Sequence, residues 1–161
     1  MRETIAAINQ IHADGVIGKY AIGGAVGATF YLEPAATLDL DIFVSLPIYE
    51  HLKSRGGKVQ DEYIVIGGWP VQFLPPSNDL EREAIAEAVS TTVEGVDTWV
   101  MSAEHLVAIA LRTGRAKDYS RILQFVEQGA VDHEKLQSIL QRNGLTQKWQ
   151  KFKQKYLEDA K

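Results

Sequence analysis

Apolar positions set the rhythm of the chain. Ile5, Ile8 and Ile11 recur at helical spacing, so residues 3–13 read as an opening helix, ended by Asp14-Gly15. Tyr20-Ala21-Ile22 is a short apolar strand running into Gly23-Gly24, and residues 25–32 fit a second helix stopped near Pro34. The clearest strand spans 38–46, where Leu38, Leu40, Ile42 and Val44 alternate with Asp39, Asp41 and Phe43 before Pro47. A helix over 48–55 ends at Gly56-Gly57. Tyr63–Ile66 and Val71–Leu74 read as a hairpin across Gly67-Gly68. After Pro75-Pro76, Ser77 or Asp79 caps a helix running to about Val89, and Val96–Val100 is a short strand. Beyond it the spacing predicts helices over 103–113, 117–128, 133–142 and 145–158, the first capped by Ser102, with Gly114, Gly129 and Gly144 between them. The pattern divides the chain into an αβ core over 1–100 and a helical subdomain over 101–161.

Composition narrows the possibilities. The 161 residues are 45% hydrophobic and 24% charged, the balance of a soluble globular protein with one real core. A net charge of −4 differs from that of a generally basic nucleic-acid binder. The absence of cysteine removes disulfides, thiol nucleophiles and cysteine zinc sites, and fits a cytoplasmic protein. No apolar run reaches membrane-spanning length, and His12, His51, His105 and His133 form no helical ligand pair. His105 reads as a packing or capping histidine.

Carboxylates are rare in apolar strands because a buried charge is costly unless something pairs with it. In a strand, residues i and i+2 share a face, roughly 6–7 Å apart, which places Asp39 and Asp41 together with Thr37 before them. Two carboxylates so placed suit a hard cation. Mg²⁺ takes few carboxylates and completes its sphere with water and phosphate oxygens. The plain alternative is a solvated strand face. Gly23-Gly24 opens a helix with unobstructed N–H groups that favour a phosphate, or is simply a tight turn. Strand, glycine pair, helix and Asp-x-Asp strand in that order are more specific than either part.

In these segments, Gly23-Gly24 and Thr37-Leu38-Asp39-Leu40-Asp41, the chain resembles the nucleotidyltransferase-fold superfamily (DNA polymerase β-like), and within it the minimal nucleotidyltransferases and the AbiEii-type toxin group. A second likeness lies in Glu104-His105-Leu106, Leu111 and Thr113-Gly114-Arg115-Ala116-Lys117-Asp118, similar to the segment opening that group's helical tail. The resemblance implies an α/β (α+β) fold, with a mixed β-sheet flanked by helices and a C-terminal helical extension. It also implies Mg²⁺ (or Mn²⁺) on Asp39 and Asp41, and ATP or another nucleoside triphosphate at Gly23, Gly24 and Thr37. Transfer of the nucleoside monophosphate would be to a protein or RNA acceptor, in a toxin–antitoxin or defence setting with a possible toxin or antitoxin partner protein.

The superfamily usually adds a third carboxylate on a later strand. Here that position holds Gln72, whose amide oxygen can ligate a cation but is no general base; Asp61 and Glu62 are substitutes one strand earlier. Ala25 and Ala35 also depart from the pattern. Arg112, Arg115, Lys117 and Arg121 form a basic run. Composition favours a solvated face with Lys117, Asp118 and Arg121 pairing locally, whereas the family likeness turns Arg115 and Lys117 toward a triphosphate. In the last helix, Lys148, Lys151, Lys153 and Lys155 interleave with Trp149, Phe152 and Tyr156, a spacing that marks a core-facing stripe more often than a base-stacking platform. The chain lacks the Arg–His spacing of the HEPN ribonuclease partners of minimal nucleotidyltransferases. Two further readings stand beside the enzyme. One is a degenerate domain that binds nucleotide or a protein partner, favoured by Gln72. The other is a dinucleotide-binding unit, disfavoured by the missing G-x-G-x-x-G fingerprint.

Overall fold

Helix α1 (Arg2–Ala13) buries Thr4, Ile5, Ile8 and Ile11 on one stripe, as the isoleucine spacing requires. The computed structural model describes residues 1–33, 39–45, 58–60 and 63–158. The chain then lays down β1 (Tyr20–Ile22), α2 (Gly24–Ala28), β2 (Leu40–Val44), β3 (Lys58–Gln60), β4 (Tyr63–Ile66), β5 (Trp69–Leu74), α3 (Asp79–Ala86), β6 (Val89–Val93) and β7 (Val96–Val100). The strands form one mixed sheet in the order β3-β4-β5-β2-β1-β7-β6. β2 runs parallel to β5 and β1 parallel to β7; the other neighbours are antiparallel.

One side of the central strands makes the core. Leu40, Ile42, Val44, Val71, Phe73 and Ile64 lie there with Ile5, Ile8 and Ile11, all buried. The Tyr20 hydroxyl enters this layer with its hydrogen bonds made: it donates to Asn9 Oδ1 at 2.7 Å and meets Thr98 Oγ1 at 2.8 Å. Burial raises its pKa, partly offset by the Thr98 contact.

Several elements differ from the sequence expectation. The second helix is shorter than 25–32: α2 stops at Ala28, and turn bonds carry the chain on, with Tyr31 and Leu32 N–H donating to the Ala28 carbonyl. The cap of α3 is neither Ser77 nor Asp79 but Asn78, whose side chain accepts from Glu81 N–H; Ser77 N–H instead donates to the Glu81 carboxylate. The helix ends at Ala86, and Val89–Val93 is a strand that the helical reading had absorbed in part. It returns as β7 through Glu94-Gly95, both at positive φ (50° and 83°), the requirement of a tight two-residue hairpin. The expected helix over 48–55, Thr37, and the pair Asp61 and Glu62 lie outside the described residues.

The chain divides into two compact units, Met1–Ser102 and Ala103–Lys161. The second holds α4 (Ala103–Thr113), α5 (Ala116–Glu127), α6 (His133–Arg142) and α7 (Thr146–Lys153), and closes with a π-helical turn, Gln154–Glu158, where a continuous α-helix was expected. Leu111, Ile122, Phe125, Leu136, Ile139 and Leu140 are its buried centre, joined by Trp149 and Phe152. The last-helix aromatics are therefore chiefly a packing stripe. His105 is fully buried in α4. No described helix is long and apolar enough to cross a membrane.

Candidate functional site

Burial alternates along the acidic strand: Asp39 is half-buried, Leu40 buried, Asp41 half-buried and Ile42 buried. The alternation puts both carboxylates on the side opposite the isoleucine core. β5 lies beside β2 in parallel register, with Asp41 opposite Gln72 and Leu40 opposite Val71. Paired residues share a face, so the Gln72 amide belongs to the same surface as the Asp41 carboxylate. Neither residue lies in a turn or loop tip; both are fixed by a ladder whose other side is core.

The glycine pair reaches this surface from β1. Gly23 N–H donates to the Asp41 carbonyl at 3.0 Å, extending the β1–β2 ladder past Ile22, and Met101 N–H donates to the Ile22 carbonyl at 2.9 Å. Both glycines are required sterically. A β-carbon on Gly23 would fall 2.6 Å from the Phe43 ring and 3.2 Å from Met101 Sδ. Gly24 sits at φ +59°, and a β-carbon there would collide with the Asp41 carboxylate, with Cγ at 3.1 Å. The turn thus rests directly on the carboxylate, a closeness that no side chain permits. From Thr29 the chain leads to Tyr31, whose hydroxyl donates to the Met101 carbonyl at 2.9 Å and ties this segment to the end of β7.

These positions unite five expected site residues: Asp39, Asp41, Gln72, Gly23 and Gly24. Thr37 lies outside the described residues. Arg115 and Lys117 belong to the second unit. There Arg115 is the N-cap residue of α5, and its guanidinium grips Asp118 with Nε–Oδ2 at 2.7 Å and Nη2–Oδ1 at 3.1 Å, while Asp118 also accepts from Arg115 N–H. Asp118 is 2% exposed. Burial works to raise its carboxyl, but the Arg115 bonds and charge, with Arg121, hold it below the usual carboxylate value. Arg115 is therefore engaged locally with Asp118, whereas Lys117 is exposed.

The oxygen donors on the sheet fit a hard divalent cation: two carboxylates two residues apart, with an amide oxygen on the adjacent strand. The fold that carries these residues is also found among solved proteins. The chain superposes on an antigenic nucleotidyltransferase-like protein from Paracoccidioides brasiliensis with TM-score 0.54 at 15% identity, covering 89% of each chain. The chain has the nucleotidyltransferase fold.

The same nucleotidyltransferase fold relates it to ANT(2'')-Ia, solved in complex with adenylyl-2''-tobramycin, at TM-score 0.51 and 17% identity over 90% of this chain and 98% of that one. A solution structure of ANT(2'')-Ia, an antibiotic-resistance factor, aligns at TM-score 0.51 and 15% identity, covering 94% and 96%. No protein-family model matches the sequence, and no curated protein does.

Proposed function

We propose that the protein is a Mg²⁺-dependent nucleotidyltransferase that moves a nucleoside monophosphate from a nucleoside triphosphate to a protein or RNA acceptor. We place it in the AbiEii-type group, with a toxin–antitoxin or defence role. The observation carrying this reading is the Gly23-Gly24 turn seated against Asp41, with Asp39 and Gln72 on the same surface. Asp39 and Asp41 would hold the ion, with the Gln72 oxygen beside them. Bound there, the ion would neutralise charge on the triphosphate and its leaving group. Gly23 and Gly24 leave room for the phosphates to approach the acids closely. ANT(2'')-Ia, which shares the fold, was solved in complex with adenylyl-2''-tobramycin, and that adenylylated compound supports the transfer reading, although tobramycin is a small molecule.

Gln72 favours a second reading. It occupies the position in register with Asp41 where a third carboxylate would serve as base, and an amide does not take a proton near neutral pH. A catalytically degenerate domain that binds nucleotide or a protein partner accounts for that substitution.

Label transfer separates the two. The full chain is incubated with Mg²⁺ and each α-labelled triphosphate, alone, with cell extract, and with tobramycin as a small acceptor. Transfer that disappears in Asp39→Ala and Asp41→Ala supports the enzyme. Nucleotide binding without transfer supports the degenerate domain, and transfer unchanged in both variants overturns the site.

A further inference from the structure

The second unit carries a groove of about 330 Å³ lined by Tyr119, Lys148, Lys151, Phe152, Lys155 and Tyr156. We propose that it binds single-stranded nucleic acid, with the lysines on the phosphates and a tyrosine ring against an unpaired base. This inference does not rest on the transfer reading above.

Charge is the first argument. Residues 143–157 include four lysines and no acid, although the whole chain is at −4. Among the described residues, none of Lys148, Lys151 and Lys155 pairs with a carboxylate. Lys148 donates to the Arg112 carbonyl at 3.0 Å, and Lys155 lies 5.2 Å over the Tyr156 ring. Among the described residues the groove is thus cationic, the complement of a polyanion.

Ring geometry selects the polyanion. Phe152 is buried and serves as floor, stacked on Trp149. Tyr119 and Tyr156 are half-buried beside it, with centroids 5.5 and 5.0 Å from Phe152. They are backed by packing and partly open, as a stacking platform needs to be. The π-helical turn begins at Gln154, so Tyr156 projects from a widened turn; such turns are frequent at functional sites. Gly114, at φ +70°, keeps one end of the groove open: a β-carbon there would meet Tyr119 Oη at 3.1 Å and Lys148 Nζ at 3.3 Å. An acidic peptide would use the lysines but gain nothing from the rings. A duplex would keep its bases from them.

The test is fluorescence anisotropy of the full chain with a labelled oligouridylate of about 12 nucleotides, in EDTA and without triphosphate. Dissociation constants of roughly 1–100 µM near physiological salt are expected, with log K falling against log salt at a slope of about −2 for three phosphate contacts. Lys151 and Lys155 are exposed, so the double variant Lys151→Gln/Lys155→Gln folds normally and brings the slope to about −0.7. Tyr156→Leu, which keeps apolar packing, weakens binding roughly 5- to 100-fold with the slope unchanged. Three results would overturn the proposal: no binding at about 50 mM salt, equal affinity for duplex of the same length, or displacement of the oligonucleotide by an equal charge of polyglutamate.

Discussion

At the scale of single residues, Gly24 is a tightly constrained position in the first unit. Its φ of +59° disfavours any side chain, and its Cα faces the Asp41 carboxylate. Gly15 offers a matched control, at φ +75° with nothing within 4 Å of an added β-carbon. Gly15→Ala is expected to cost about 1 kcal/mol from backbone strain alone. Gly24→Ala should cost at least about 1 kcal/mol more, because the carboxylate must move as well. Urea denaturation midpoints of the two variants measure the difference. Tyr20→Phe tests the buried polar contact, since it strands Asn9 and Thr98 and should cost about 1–3 kcal/mol. Tyr20 also has a pH signature. Its folded pKa is raised, so its contribution is complete below about pH 10 and is lost as pH rises through the folded value. Tyr20→Phe should remove that alkaline loss from a denaturation series.

At the scale of elements, the elbow between α4 and α5 shows how a motif-like segment can be structural. Gly114 turns the chain, Arg115 caps α5, and Asp118 at N3 reaches back to the Arg115 N–H. Asp118→Asn should destabilise the protein by about 1–2 kcal/mol near pH 7. The folded pKa of Asp118 is lowered, so this contribution is present above its ordinary value of 3.8 and is lost as pH falls through the folded value. The stability gap between wild type and Asp118→Asn should therefore close in acid. A constant gap from neutral pH to below pH 3.8 would contradict the pairing. The elements themselves were unevenly legible. α1, β1 and the β4–β5 hairpin follow directly from apolar spacing and glycine turns, because local pattern and final burial agree there. β6 was harder. Val89 continues the apolar stripe of α3, and only Thr91-Thr92-Val93 and the Glu94-Gly95 turn distinguish a strand. Arg115 carries both a charge and a cap, and sequence alone does not say which one the fold uses.

At the scale of the whole molecule, the site depends on contacts distant in sequence. The acids were legible because alternation within one strand reveals a shared face. The position of Gln72 beside Asp41 is a register between strands more than 25 residues apart, which no local pattern fixes; the family resemblance supplied it. The seating of Gly24 on Asp41 was not legible at all, since a glycine pair reads equally well as a plain turn. The central claim is that this surface is a metal–nucleotide site, and it is tested most directly by calorimetric titration of a non-hydrolysable triphosphate, with and without Mg²⁺. Wild type should bind the triphosphate with Mg²⁺ and much more weakly in EDTA. Asp41→Asn, which keeps the shape and removes the charge, should lose the Mg²⁺-dependent part by a factor of about 10 or more. Equal binding by wild type and Asp41→Asn, or binding indifferent to Mg²⁺, would contradict the account.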